Sequence, residues 1–334
     1  MLLLDSENIT RNHPVNLRPE HQRYFEKEYN KTLPSVYLKM HKNVLLTSEG
    51  IIFKNLTLIK ESLLMPEHGT TFNLRYIISV VLRRKKVVLQ DGNYLFVFNV
   101  WYQGYFHWLT ECLPKLYLIK DFLHQYTLLL PDNISSFHRS SLKAFQFKEI
   151  LYFSTNEYLA IPNLDIITQL AETGSYNIQL IKHMRSYFND YFSFTETSIL
   201  AEKIYISRRK ASRRKIINEE HVEKLLSDAG FYSIIMEDFS FEEQIAIMRQ
   251  CKYLISMHGA GLTNMLFMPT NTCVLEFRPE GDESNLCYFS LASALNIFYF
   301  YQFGLPNNLK NIHNADILID VPLLQQTVEQ MLKY

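Results

Sequence analysis

Three short stretches carry residue types that could do chemistry. In "WYQGYFHWLTECLPKL" (residues 101–116), His107 and Glu111 stand four apart. On a helix they share one face, where a carboxylate can orient an imidazole that takes up a proton. The competing reading is a half-buried core histidine among aromatics. In "SRRKASRRKIINEE" (207–220), six cations crowd into eight positions: Arg208, Arg209, Lys210, Arg213, Arg214 and Lys215. A planar guanidinium binds phosphate oxygens in pairs, so this run suits a diphosphate. A solvated basic loop and a nucleic-acid contact are the alternatives, although no reading helix or aromatic platform lies beside it. In "SMHGAGLTNMLFMP" (256–269), His258, Gly259, Ala260 and Gly261 follow an apolar run. Glycine lets a backbone approach a ligand closely, and a helix start offers free N–H groups to a phosphate. The bland alternative is a tight strand-to-helix turn with a packed histidine. Glu276 closes "CVLEF", where it could accept ribose hydroxyls or pair with Arg278.

Other chemistries find no support. The glycine spacing is not GxGxxG, and neither GxxxxGK[ST] nor GxSxG occurs. The histidines are scattered without HxxH or HExxH, and there is no DxD, so neither a metal site nor a cofactor is expected. Lys+Arg and Asp+Glu balance at 34 each, so any basic site must be a local patch. The four cysteines show no metal-knuckle or CxxC spacing and read as buried thiols of a reducing compartment. The start, "MLLLDSENITRNHPVN", lacks the basic and long apolar regions of a signal peptide, and no apolar stretch reaches the ~20 residues of a membrane span. The expectation is a cytoplasmic protein, free or peripherally attached at the inner face of the membrane.

The elements that must position these residues fall into two halves. Residues 1–40 read as an irregular arm. From 43 to 100 short strands alternate with turn signals, with hairpins expected at Glu49-Gly50 and Asp91-Gly92. "YFHWLTECLPKLYLIKDFL" has helical spacing, with a kink or restart at Pro114. "YTLLLP" and "EILYF" read as strands, "SSFHRSSLKAF" and "NIQLIKHMRSYFNDYF" as helices, and 191–202 as a linker. Beyond it strands and helices alternate: "KIYIS", "NEEHVEKLLSDAG", "FYSIIM", "SFEEQIAIMRQC" with a Ser240–Glu243 capping box, "YLIS", "GLTNMLFM", "CVLEF", "NLCYFSLASALN" and "IFYFYQF". That alternation predicts a parallel sheet covered on both faces, with ligands outside the carboxyl ends of the strands. The expected organisation is α/β: residues 1–190 as an N-terminal domain with a β-rich start, 203–305 as a Rossmann-like domain, and 306–334 as an extension ending in a helix, with a cleft between the two domains.

In order and spacing, "FHWLTECLPKL", "YISRRKASRRKIINEE" and "FSFEEQIAIMRQCKYLISMHGAGLTNMLFMPTNTCVLEFRP" together resemble glycosyltransferase family 61, whose bacterial members are often capsular polysaccharide biosynthesis proteins. The resemblance covers roughly residues 40–305. It implies a GT-B architecture of two Rossmann-like domains, inversion at the anomeric carbon and no required metal. By position, His107 matches the acceptor-side histidine, and Arg208 and Arg214 the two arginines of the basic segment. His258, Gly259, Ala260, Gly261 and Asn264 match the glycine-loop block, and Glu276 its closing acidic residue. The crowd of extra cations around Arg208 and Arg214 departs from the family pattern.

The expected function is therefore an inverting, metal-independent glycosyltransferase. It would move a sugar from a nucleotide-sugar donor to a glycan, lipid-linked glycan or other hydroxyl acceptor, in surface polysaccharide biosynthesis. His107 would be the base, with Glu111 orienting it or touching the acceptor. Arg208 and Arg214 would clamp the diphosphate, backed by N–H groups of 258–261, and Glu276 would hold the ribose. A nucleotide-sugar-binding subunit without catalysis needs the second and third stretches but not His107. A nucleic-acid-binding module would need only the basic run.

Overall fold

The computed structural model describes residues 1–65 and 67–334. The chain forms two compact units, Met1–Glu7 with Thr32–Thr173, and Asn8–Lys31 with Gly174–Tyr334. Residues 8–31 of the N-terminal arm and the helix Ile178–Tyr191 thus group with the second unit, whereas the sequence reading placed both in the first.

The first unit is built on a nine-stranded mixed sheet. Its spine is the strand Glu157–Ile167, antiparallel to Val36–Thr47 on one side. On the other side it runs parallel to Lys85–Val88 and then to Tyr94–Phe96. These two short strands line up along one neighbour, so Asp91-Gly92 is not the hairpin turn expected. Pro162 in the spine has no N–H to donate, and the parallel neighbour breaks across from it. Asn163 closes the gap by donating to Asp91 at 2.7 Å. The hairpin at Glu49-Gly50 does form, with Gly50 at φ +82°. The sequence reading passed over the spine itself and the helix Leu74–Arg83, and it read as an irregular arm a stretch that forms the strands Leu2–Leu4, Glu7–Thr10 and Asn30–Leu33.

The second unit is a six-stranded sheet made of Lys203–Ile206, Tyr232–Ile234, Tyr253–Met257, Cys273–Pro279, Phe298–Pro306 and Ile317–Leu318. Counted along the chain, these stand in the order second, first, third, fourth, fifth, sixth. All pairings are parallel except the last. Helices Glu219–Asp228 and Val321–Met331 cover one face, where Val222, Leu226, Leu324 and Val328 pack on Tyr205, Ile255, Leu275 and Phe277. The helices Ile178–Tyr191, Phe241–Met248 and Cys287–Leu295 pack with the 3-10 turn Ala260–Phe267. The capping box forms: Ser240 accepts from the Glu243 N–H at 3.2 Å, and its own N–H donates back to the Glu243 carboxylate at 2.8 Å. Such a cap stabilises a helix by about 1 kcal/mol. All four cysteines are free, three of them buried.

The strand order reverses between Lys203–Ile206 and Tyr253–Met257, the first and third strands, whose following helices leave in different directions. A doubly wound sheet opens a crevice at such a switch point. The two loops that leave these carboxyl ends are the basic run and the glycine loop.

Candidate active site

Period-two geometry assembles the second unit's constellation. Ile206 pairs with Ser256, and Ser256 with Glu276. Side chains two residues on share a face, so Arg208, His258, Glu276 and Arg278 come from one side of the sheet. The backbone N–H of His258 donates to Phe277 O at 2.9 Å, which makes it the last rung before the loop. Its ring is nearly buried, and Nδ1 hydrogen-bonds Glu276 Oε1.

Glu276 is fully buried in a strand with no exposed residue. Its other oxygen accepts from the Tyr299 hydroxyl at 2.5 Å and lies 3.8 Å from the Arg278 guanidinium. Arg278 is itself buried and donates to the carbonyls of Asp282, Ser284 and Asn285. Burial alone would raise the Glu276 carboxyl, but the interaction with His258, the Arg278 charge and the hydrogen bonds from His258 and Tyr299 hold it below its ordinary range. Burial pushes His258 down against the pull of Glu276. The arrangement is a neutral imidazole whose Nδ1–H points at an ionised carboxylate. Both oxygens of Glu276, expected at a ribose, point in this structure to His258 and to Tyr299 and Arg278.

The six cations sort themselves. Arg209 pairs with Glu223, Lys210 with Asp238 at 2.6 Å, and Arg213 donates to Asn314 at 2.7 Å. Arg208 and Arg214 are half-buried, and among the described residues neither forms an ion pair. Arg208 is held by two carbonyls of its own loop, Arg214 O at 3.0 Å and Arg213 O at 3.3 Å. Arg214 sits in the left-handed region at φ +57°, uncommon for a residue with a side chain, and its buried Nε has no partner. Burial lowers the pKa of both, and each feels the other or Arg213 as a like charge. Carboxylates act on them only from a distance, Glu237 on Arg208 and Glu276 on Arg214. Two desolvated guanidiniums without an ion-pair partner make a site that an anion can complete. Tyr288 lies edge-on to the His258 ring at 5.0 Å.

Gly259 is extended, at φ 166°, so its conformation does not require glycine. A Cβ there would overlap the Arg208 guanidinium, so a side chain at 259 would have to push that arginine aside. Gly261 lies against Ile206, where a Cβ would meet Cγ2 at 3.1 Å. Ala260 is exposed at the first position of the turn Ala260–Phe267, whose leading N–H groups lack intrahelical acceptors. Asn264, expected at the donor, is instead buried and donates to Gln244 at 3.1 Å and Gly261 O at 3.2 Å. It fixes the loop's shape from behind.

In the first unit, His107 ends the short helix Tyr105–His107 and Glu111 lies in the π-turn Trp108–Cys112 that continues it. Such turns concentrate at functional sites. Pro114 then begins the α-helical turn Leu113–Leu118, at the restart the sequence suggested. His107 Nδ1 lies 3.1 Å from Glu111 Oε1, within ion-pair range but off the hydrogen-bond direction. Glu111 Oε2 accepts from the buried Asn99 amide at 2.7 Å. The His107 ring tilts against Trp101 at 4.8 Å and keeps about a fifth of its side chain exposed. Four residues past Glu111, Lys115 is fully buried and donates to Gln169 at 3.2 Å, and burial lowers its pKa.

The structure thus brings Arg208, Arg214, His258, Gly259, Ala260 and Gly261 together, and separately joins His107 to Glu111. Sequence reasoning missed Asn99, Lys115, Tyr288 and Tyr299. Only Lys115 left a trace, as a cation inside an apolar helical pattern.

Residues 105–275 match the sequence profile of Glycosyltransferase 61. The chain belongs to glycosyltransferase family 61. It is 31% identical over 102 residues to the EGF domain-specific O-linked N-acetylglucosamine transferase of Bos taurus, covering 29% of this chain and 19% of that protein. To the enzyme of the same name from Drosophila melanogaster it is 36% identical over 98 residues, covering 28% and 18%. The match thus spans about a fifth of the length of these curated relatives.

Proposed function

We propose that this chain is an inverting glycosyltransferase that uses a nucleotide-sugar donor and a hydroxyl acceptor. The observation that carries the reading is the pair of half-buried arginines that form no ion pair among the described residues, at the switch point of a parallel sheet and beside a glycine loop. In the proposed reaction His107 takes the acceptor hydroxyl's proton, and the acceptor oxygen bonds to the anomeric carbon. The bond from that carbon to the phosphate oxygen breaks on the opposite face, inverting the centre. The electron pair leaves with the diphosphate, whose charge Arg208, Arg214 and the N–H groups after Gly259 neutralise. Fixed cations can supply this stabilisation without a metal. His258, held by Glu276, presents Nε2 to the donor. The reading includes a GT-B arrangement, in which a donor held by the second unit meets a base from the first.

The names of the relatives make a nucleotide-activated N-acetylglucosamine the first donor to test. A glycan of a surface polysaccharide, built at the cytoplasmic side, is the proposed acceptor class. A panel of nucleotide sugars is screened by thermal shift, since a ligand of the native state raises apparent stability. The stabilising donor is then offered with glycan acceptors, with and without a chelator. Chelator-resistant transfer with an inverted product supports the proposal. Tight binding without transfer or hydrolysis would leave a binding subunit instead. A panel with no stabilising donor, or a product of retained configuration, would refute it.

A further inference from the structure

We propose that the helix Leu74–Arg83 is a docking surface for an anionic lipid bilayer. At 100° per residue, Leu74, Ile78, Val81 and Leu82 span an arc of about 100° on one side of the helix. All four are exposed, Leu82 to 79%. The adjoining arc holds Ile77 and Val80, which are buried with Phe53 and Tyr158. The helix therefore carries more apolar surface than its own core uses, and the excess faces outward.

Charge identifies the occupant. Residues 68–90 contain Arg75, Arg83, Arg84, Lys85 and Lys86 and no Asp or Glu, in a chain whose charges otherwise cancel. Arg84 turns inward to Glu49 at 2.8 Å. Arg75, Arg83 and Lys86 remain exposed, and Lys85 touches Glu157 at 3.2 Å while keeping three-quarters of its side chain exposed. Val88, 65% exposed, adds apolar surface just beyond. An apolar stripe edged by cations is the pattern of a helix lying in the headgroup layer, where acidic lipids attract the basic edge. A second copy of this face would set the same cations against each other. Ten residues give about 15 Å of helix, enough to lie along a bilayer but not to cross it. Among the described residues, no helix is long and apolar enough to cross.

Flotation of the full chain with phosphatidylcholine vesicles, with and without phosphatidylglycerol, tests this. Binding is expected only with phosphatidylglycerol and should weaken with added salt. Lys86→Glu and Arg83→Glu should each weaken it at least fivefold or so, the share of one cation near an acidic surface. Leu82→Asp should abolish it. All three side chains are exposed, so unchanged melting temperatures would confirm that the fold is intact. Equal binding to both vesicle types, binding indifferent to the three substitutions, or self-association through this face without vesicle binding would each overturn the proposal. The readout is lipid binding, so it stands or falls independently of sugar transfer.

Discussion

Each unit holds one histidine beside one glutamate, and the two pairs are built to opposite ends. His107 keeps part of its ring in solvent, and Glu111 is anchored by a single neutral amide, Asn99. His258 is nearly buried, and Glu276 is locked by Tyr299 and the buried Arg278. The first pair can exchange a proton with whatever enters. The second has its protonation fixed by desolvation and a strong field, which suits orienting a ligand rather than accepting a proton from it. The same two residue types, i,i+4 in a helical segment or on neighbouring strands, thus stand in different environments, set by burial and by the groups packed around each carboxylate.

The largest expected effect separates the pairs by activity. His107→Ala should lower turnover by about 10²–10⁴-fold while nucleoside-diphosphate affinity holds, the range for loss of a general base. Near-normal turnover in that variant would move the base elsewhere. Next comes stability. Glu276→Gln leaves Arg278 buried without its anion, which should cost about 3–5 kcal/mol, as when one partner of a buried pair is removed. Glu111→Gln should depress activity with little change in denaturation midpoint. If both glutamine variants melt alike, the contrast fails. A smaller effect concerns the cations. Arg208→Ala or Arg214→Ala should each weaken calorimetric diphosphate binding by roughly 10–100-fold, the weight of a charged hydrogen bond, whereas Arg209→Ala should not. The smallest lies in a third carboxylate. Burial works to raise Glu49, but hydrogen bonds from Arg84 and Tyr76 and the Arg84 charge prevail, holding it at about 2. Its contribution is complete above the unfolded value near 4.5 and fades as pH falls through 2, so acid melting should begin later in wild type than in Arg84→Met.

The second unit was legible because its strands are buried on both faces. Continuous apolar runs such as "CVLEF" and "YLIS", separated by helical spacing, leave few alternatives, and all of its parallel strands were read. The first unit hid its spine because Pro162-Asn163 interrupts Glu157–Ile167 and mimics a turn. The helix Leu74–Arg83 was passed over although its apolar residues keep helical spacing, because Ile77, Ile78, Val80 and Val81 are β-branched and read as strand within a β-rich stretch. At the site, sequence located the loops but not their internal economy. That Glu276 and Asn264 face inward depends on pleat parity and on Tyr299 and Gln244, residues far away in the chain.

The contact between Gly259 and Arg208 ties two loops on adjacent strands into a single unit of inheritance. The room a side chain would need at 259 is taken here by a guanidinium reaching over from another loop, and the local backbone sets no such limit. A lineage that shortened residue 208 would release residue 259 to vary, and one that enlarged residue 259 would first have to displace the arginine. The sizes of the two side chains are thereby coupled, a coupling that neither loop discloses when read alone.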